Sequence, residues 1–186
     1  FDDPGTYHFY FADYSGTPGT VLTFFPFAGA RKGVRGSGEA TAVAYTVAPD
    51  ALPGWQARLA AGGVVAAPGE RFGEELLTLQ DPDGMQIELV AAAQQPAVAL
   101  WDGGPVPAAL QLRGFHSTTL QVRDGDASAA LLRELFGWTE TARDGNRRRL
   151  AVDSGLAGRI VDLVETPDLP RGQQGAGSIH HVALRV

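Results

Sequence analysis

The sequence predicts an α+β fold in which repeated βαβββ modules form curved, barrel-like mixed sheets with the helices outside. Residues 41–47, 116–122 and 180–186 share one strand pattern, alternating faces with period two and ending on valine. The first two of these strands are each followed by a short helical stretch and then by hairpin strands. The spacing recurs as well: Ala42 to Glu88 is 46 positions (88 − 42) and Ser117 to Asp162 is 45 (162 − 117), one unit used twice.

Taken in order, residues 7–12 and 20–25 are two strands around Ser15-Gly16-Thr17-Pro18-Gly19, which fits the second half of an earlier module. After strand 41–47, Pro49-Asp50 opens a helix with Trp55, Leu59 and Ala60 at helical spacing, stopped by Gly62-Gly63. Residues 76–80 and 85–90 are strands joined by Asp81-Pro82-Asp83-Gly84, a turn whose proline presets φ and whose glycine accepts positive φ. Residues 91–107, rich in Ala, Gln, Pro and Gly, read as a connection. Strand 116–122 leads to a helix capped by Asp124 or Asp126, running through Ala130, Leu131, Leu132 and Leu135 to Gly137. Strands 148–152 and 159–164 follow, around Gly155 and Gly158.

The organisation is then 1–35 as the second half of module 1, 36–95 as module 2, 96–112 as a linker, 113–166 as module 3, and 167–186 as the first strand of module 4. With no initiating methionine and an end in mid-strand, the chain reads as an interior piece of a four-module protein.

Composition narrows the function. A 44% hydrophobic and 19% charged chain of 186 residues buries a real core. Its net charge of −6, with no basic run beyond Arg147-Arg148-Arg149, argues against nucleic acid. Those three arginines read as decoration on a solvated hairpin. Zero cysteines exclude disulfides and thiolate chemistry. No apolar run reaches the roughly 20 residues of a membrane span, and cytoplasmic is the default location.

The residues with chemistry are few. Paired His180 and His181 open an alternating strand, a placement that can present one imidazole to a metal; the bland reading is a packed or surface histidine. His8 lies between Tyr7 and Phe9, and packing competes with substrate contact there. His116 beside Ser117 reads as structural, and Phe24, Phe25 and Phe27 as core, with one of them able to line an aromatic pocket.

The βαβββ repeat, the Asp81-Pro82-Asp83-Gly84 turn leading to Ile87-Glu88-Leu89, and His180-His181-Val182-Ala183 resemble the vicinal oxygen chelate superfamily of glyoxalases, bleomycin-resistance proteins and extradiol dioxygenases. Residues 1–10 (Phe1-Asp2-Asp3-Pro4-Gly5-Thr6-Tyr7-His8-Phe9-Tyr10) and Gly16 to Pro26 are similar to the four-module ring-cleaving dioxygenases that act on hydroquinones.

The resemblance implies a non-haem iron(II) enzyme, with manganese(II) as the alternative metal, acting on a small aromatic diol and dioxygen. It implies His181 as one metal ligand, with a second His and a Glu outside the visible chain. It implies His180 as the catalytic group near substrate; the functional reading of His8, from its own position, is proton shuttling or substrate contact. The positions equivalent to His181 are Ala42 and Ser117, and the carboxylate positions are Glu88 and Asp162, so modules 2 and 3 read as a metal-free structural half; Phe24 stands at the module 1 carboxylate position.

The alternatives are a glyoxalase-like lyase or isomerase, in which Glu88 must face a metal, and a metal-free small-molecule-binding protein. Residues 1–186 alone are expected to be inactive, and the oligomeric state is left open between monomer and homo-oligomer.

Overall fold

A computed structural model describes residues 5–153 and 158–184. Strands β1 (Phe9–Phe11) and β2 (Leu22–Phe24) form an antiparallel pair of their own, with Phe9 opposite Phe24. One βαβββ unit comprises β3 (Glu39–Val47), α1 (Leu52–Ala61), β4 (Ala67–Arg71), β5 (Glu74–Gln80) and β6 (Gln86–Ala91). A second comprises β7 (Phe115–Val122), α2 (Gly125–Phe136), β8 (Thr139–Asp144), β9 (Arg147–Ala151) and β10 (Ile160–Glu165). The stretch between the units holds a single 3-10 turn, Ala108–Leu110.

The two units share one eight-stranded sheet in the order β4-β5-β6-β3-β7-β10-β9-β8. Their first strands meet antiparallel at the centre, with Ala42 opposite Thr119 and Ala44 opposite Ser117, symmetric about Val43 and Thr118. Each first strand runs parallel to the last strand of its own unit, which sets Glu88 beside Ala44 and Asp162 beside Thr119. The two carboxylates thus occupy matching places about a local two-fold axis.

Both helices pack on the convex face. Leu52 of α1 joins Val47, Leu77 and Leu89, with Trp55 and Leu59 against them. Asp124 caps α2 by accepting a hydrogen bond from Ala127 N, and Gly137 closes it at φ 70°, a left-handed position that glycine adopts without strain. Only one stripe of α2 is inside: Ala129 and Leu132 pack with Trp138, Leu150, Val161 and Leu163, whereas Leu131 and Leu135 face solvent.

The sequence reading passed over β4 and β8. Both are outermost strands of the sheet; β4 carries Pro68 and Gly69, which an edge tolerates, and β8 is polar, so neither shows an apolar alternation. Three expectations are corrected. Residues 180–184 form no strand, and Arg185 and Val186 lie outside the described residues. Phe24 and Phe27 are exposed rather than core. Arg148 and Arg149 are buried, because β9 is an inner strand. Gly155, expected in the β9–β10 turn, also falls outside the described residues.

The concave face holds charge. Arg71 grips Glu88 through two nitrogens at 2.6 and 2.8 Å, and Gln86 donates to the same carboxylate at 2.9 Å. Arg149 holds Asp162 at 2.9 and 3.2 Å, and its Nη1 reaches Glu74 at 2.5 Å. Glu74 also bonds His116, whose other ring nitrogen meets Ser117 Oγ at 3.0 Å. A β7 bulge opposite Ala44 and Tyr45 leaves His116 unpaired in the ladder and free to join this face. The guanidinium of Arg149 lies 4.7 Å from the Phe72 ring, which the β4–β5 turn places through positive φ at Phe72 and Gly73.

Glu74 and Arg149 sit on strands with four others between them. In a flat sheet, five spacings of about 4.8 Å would put them roughly 24 Å apart. Their contact therefore requires the sheet to curl into a half-barrel.

Beneath that half-barrel, two glycine-rich segments lie against each other. Val34 N and Gln173 N each donate to the other residue's carbonyl at 2.8 Å, Gly172 N donates to Ser37 O, and Ala176 N donates to Arg31 O. A Cβ at Gly36 would meet Pro170 O and Gly172 N at 2.4 Å, and one at Gly175 would meet Arg31 O at 2.2 Å.

Backbone against backbone leaves no room to relax, so Gly175→Ala should cost about 1–3 kcal/mol in urea-monitored unfolding; an unchanged midpoint would show that the segments need not touch. Burial raises the Glu74 carboxyl, but His116 and Arg149 outweigh it and hold it at about 2, against an ordinary 4.5. Arg71 and Gln86 likewise outweigh burial and hold Glu88 below its usual value. A lowered carboxylate stabilises the fold above its unfolded pKa, and that stability is lost as pH falls through the folded value. Urea midpoints should therefore decline between about pH 4.5 and 2, and Glu74→Gln should flatten the decline while lowering the midpoint at pH 7; an equally steep slope in the variant would contradict this.

Candidate active site

The β1–β2 hairpin and the second glycine-rich segment deliver their side chains to one place. His8 precedes β1, Phe25 follows β2, and His180 and His181 follow the segment paired with residues 31–37. Phe25 is the hub. Its ring meets His8 edge-on at 4.6 Å, and the rings of His180 and His181 lie 5.5 and 6.1 Å from it. His8 Nδ1 is 3.4 Å from Tyr10 OH, and Gln174 Nε2 donates to His180 O at 3.2 Å.

His180 and His181 are joined Nδ1 to Nδ1 at 2.9 Å, with their rings edge to face. Such a bond fixes tautomers. For two neutral rings, the donor carries its proton on Nδ1 and keeps a bare Nε2 lone pair, while the acceptor carries its proton on Nε2. The pair thus offers one ligand nitrogen and one N–H donor; His180 and His181 are exposed and His8 is half-buried.

The structure brings His8, His180 and His181 together from opposite ends of the chain. It differs from the expected alternation, in which His180 turned away from His181: without a strand at 180–184 the rings stay adjacent. One of Phe24, Phe25 and Phe27 lining an aromatic pocket was open from the sequence; that it is Phe25 was not legible there.

A second signal was present and unread. Gly33, Gly36 and Gly38 recur as Gly172, Gly175 and Gly177, each 139 positions later (172 − 33), and the same offset takes Ala42 to His181 (181 − 42). The repeat that pairs the two segments therefore also aligns His181 with Ala42.

Metal fit can be judged from donors. Among the described residues, no three His, Cys, Asp or Glu side chains converge to hold an ion. Glu88 and Asp162 are engaged by arginines, and the residues paired beside them, Ala44 and Thr119, carry no imidazole. At the other cluster, one bare Nε2 suits a borderline divalent ion such as iron(II), as part of a larger ligand set.

No protein-family model matches the chain. It is 40% identical over 185 residues to MhqO of Bacillus subtilis (strain 168), assigned as a ring-cleaving dioxygenase; the match covers 100% of this chain and 58% of the relative. It is 34% identical over 185 residues to the chlorohydroquinone/hydroquinone 1,2-dioxygenase of Sphingobium indicum, covering 97% of this chain and 58% of that enzyme. The chain thus spans less than two thirds of the length of the curated relatives it matches.

Among solved structures, one assigned as a dioxygenase from Bacillus subtilis superposes with a TM-score of 0.88 at 39% identity, over 97% of this chain and 57% of that one. Glyoxalase I from Zea mays superposes with a TM-score of 0.59 at 17% identity, over 84% of this chain and 53% of its own, a likeness of fold alone. Among the described residues no helix is long and apolar enough to cross a membrane. With its paired βαβββ units and half-barrel sheet, the chain shares the fold of glyoxalase I, and along its whole length it is similar to proteins named as ring-cleaving dioxygenases.

Proposed function

We propose that the whole protein is a non-haem iron(II)-dependent, extradiol-type dioxygenase that opens a hydroquinone- or catechol-type ring, and that this chain supplies one metal ligand and two substrate-facing imidazoles. The observation that carries the reading is the convergence of His8, His180 and His181 on Phe25, in a chain similar along its whole length to ring-cleaving dioxygenases. Small aromatic diols and dioxygen are the substrates of this reading.

His181 would hold the metal through Nε2, with its Nδ1–H directed at His180, and a His and a Glu from outside the chain would complete the set; manganese(II) is the alternative occupant. When bound, the metal supplies the template and electron pathway between diol and dioxygen. The chain's own groups do the rest. His180, accepting at Nδ1, presents Nε2–H to a substrate oxygen and steadies the negative charge that grows there. His8 stands across Phe25 from that pair, placed to touch a second hydroxyl, and Phe25 offers its ring to the substrate's.

The glyoxalase-like reading needs Glu88 at a metal. Two arginine nitrogens and an amide already take that carboxylate, which favours the dioxygenase.

Oxygen uptake by the full-length gene product, reconstituted anaerobically with iron(II) and offered methylhydroquinone, catechol and a hemithioacetal, tests the proposal. Uptake with a diol is expected, with His181→Ala losing both iron and activity. Bound iron with no uptake on any diol would overturn it in favour of a lyase or a binding protein. His180→Gln should keep iron and lower kcat by about 10²–10³-fold, the range for losing one donor to a developing oxyanion; an unaffected kcat would remove His180 from the mechanism.

A further inference from the structure

The mouth of the half-barrel formed by the two complete units encloses a polar cavity of about 250 Å³. Arg35 and Arg147 line it, with Gln86, Gln121, Thr41 and Thr119 between them. No carboxylate is among the lining side chains. We propose that this cavity is a binding site for a small oxyanion, a phosphate- or carboxylate-sized group held between the guanidiniums of Arg35 and Arg147, distinct from the histidine cluster and independent of the dioxygenase reading.

Charge pairing supports this. Asp162 is already held by Arg149 through two nitrogens and lies 3.9 Å from Arg71. Arg147 reaches the same carboxylate only once, by Nη1 at 3.3 Å, and uses that nitrogen again for Thr119 Oγ1 at 3.3 Å. The rest of its guanidinium has no acceptor among the described residues.

Burial and the nearby charge of Arg71 hold its pKa below the usual arginine value, the mark of a cation short of counter-charge. Arg35 makes no ion pair among the described residues; its Nη2 donates to the carbonyls of Gly84 and Gly177 at 3.0 and 3.2 Å. Asp81, in the adjoining turn, is occupied with the Asp83 and Met85 amides.

A half-buried guanidinium short of counter-charge and an exposed one with no ion pair among the described residues, flanked by amide and hydroxyl donors, match an oxyanion's acceptors, and arginine forks pair with such groups bidentately. Ligand pockets run from about 300 to 1,000 Å³, so this smaller cavity admits a group of few atoms rather than an aromatic substrate.

The test is titration calorimetry of the full-length protein with inorganic phosphate and, separately, with maleate, in low-chloride buffer. Saturable binding of either at one site per chain is expected, weakened at least tenfold by Arg147→Gln and by Arg35→Gln, and unchanged by Arg143→Gln on the exposed β8 edge. Arg35 lies outside the buried charge network, so its variant remains informative if Arg147→Gln fails to fold. No saturable binding of either probe, a non-saturating ionic-strength response, or binding undiminished in Arg35→Gln would overturn the proposal.

Discussion

The contact between Glu74 and Arg149 joins strands that a flat sheet would hold far apart, and the shape of the molecule depends on it. Charged groups under a sheet are costly to desolvate unless every one is matched. Here Arg71 holds Glu88 and Arg149 holds Glu74 and Asp162, with His116 and Ser117 completing the bonds at one end, and Arg147 adds a single bond to Asp162. Curvature and charge pairing are therefore one constraint: the sheet must curl for the charges to meet, and the charges make a flatter sheet unfavourable.

That arrangement also explains how one fold gives two different halves. In the complete units the carboxylates Glu88 and Asp162 lie beside Ala44 and Thr119, which offer no imidazole, and both are neutralised by guanidiniums. A guanidinium can occupy such a place permanently, whereas an ion must be acquired. The histidine cluster is the converse case, built around a single phenyl ring, with the Nδ1 atoms of His180 and His181 committed to each other rather than to counter-ions.

Much of this was legible in the sequence, and the exceptions have physical causes. The period-two strands, the capped second helix and the 46- and 45-residue spacings were readable because each expresses a local rule. The edge strands β4 and β8 were not, because a strand paired on one side carries little apolar pattern. The burial of Arg148 and Arg149 was invisible because a charged triplet looks the same in a turn as under a sheet; only the acidic partners, distant in sequence, tell them apart. His8, His180 and His181 could each be named from pattern and resemblance, but their meeting at Phe25 depends on a crossing of segments that no local rule expresses.

That crossing sets an order of assembly. The half-barrel closes within residues 39–165, whereas His8 must wait for a partner 172 positions away (180 − 8). During synthesis, at roughly 5–20 residues per second, the last strand of the curled sheet leaves the ribosome ahead of His180. The β1–β2 hairpin then has no counterpart until residues 170–178 emerge and lie down against 31–37. Loop-closure entropy for such a separation is met largely by the sheet that has already brought the two segments to the same end. The cluster is thus the last part of the chain to take shape, and its geometry is inherited from a scaffold that folds without it.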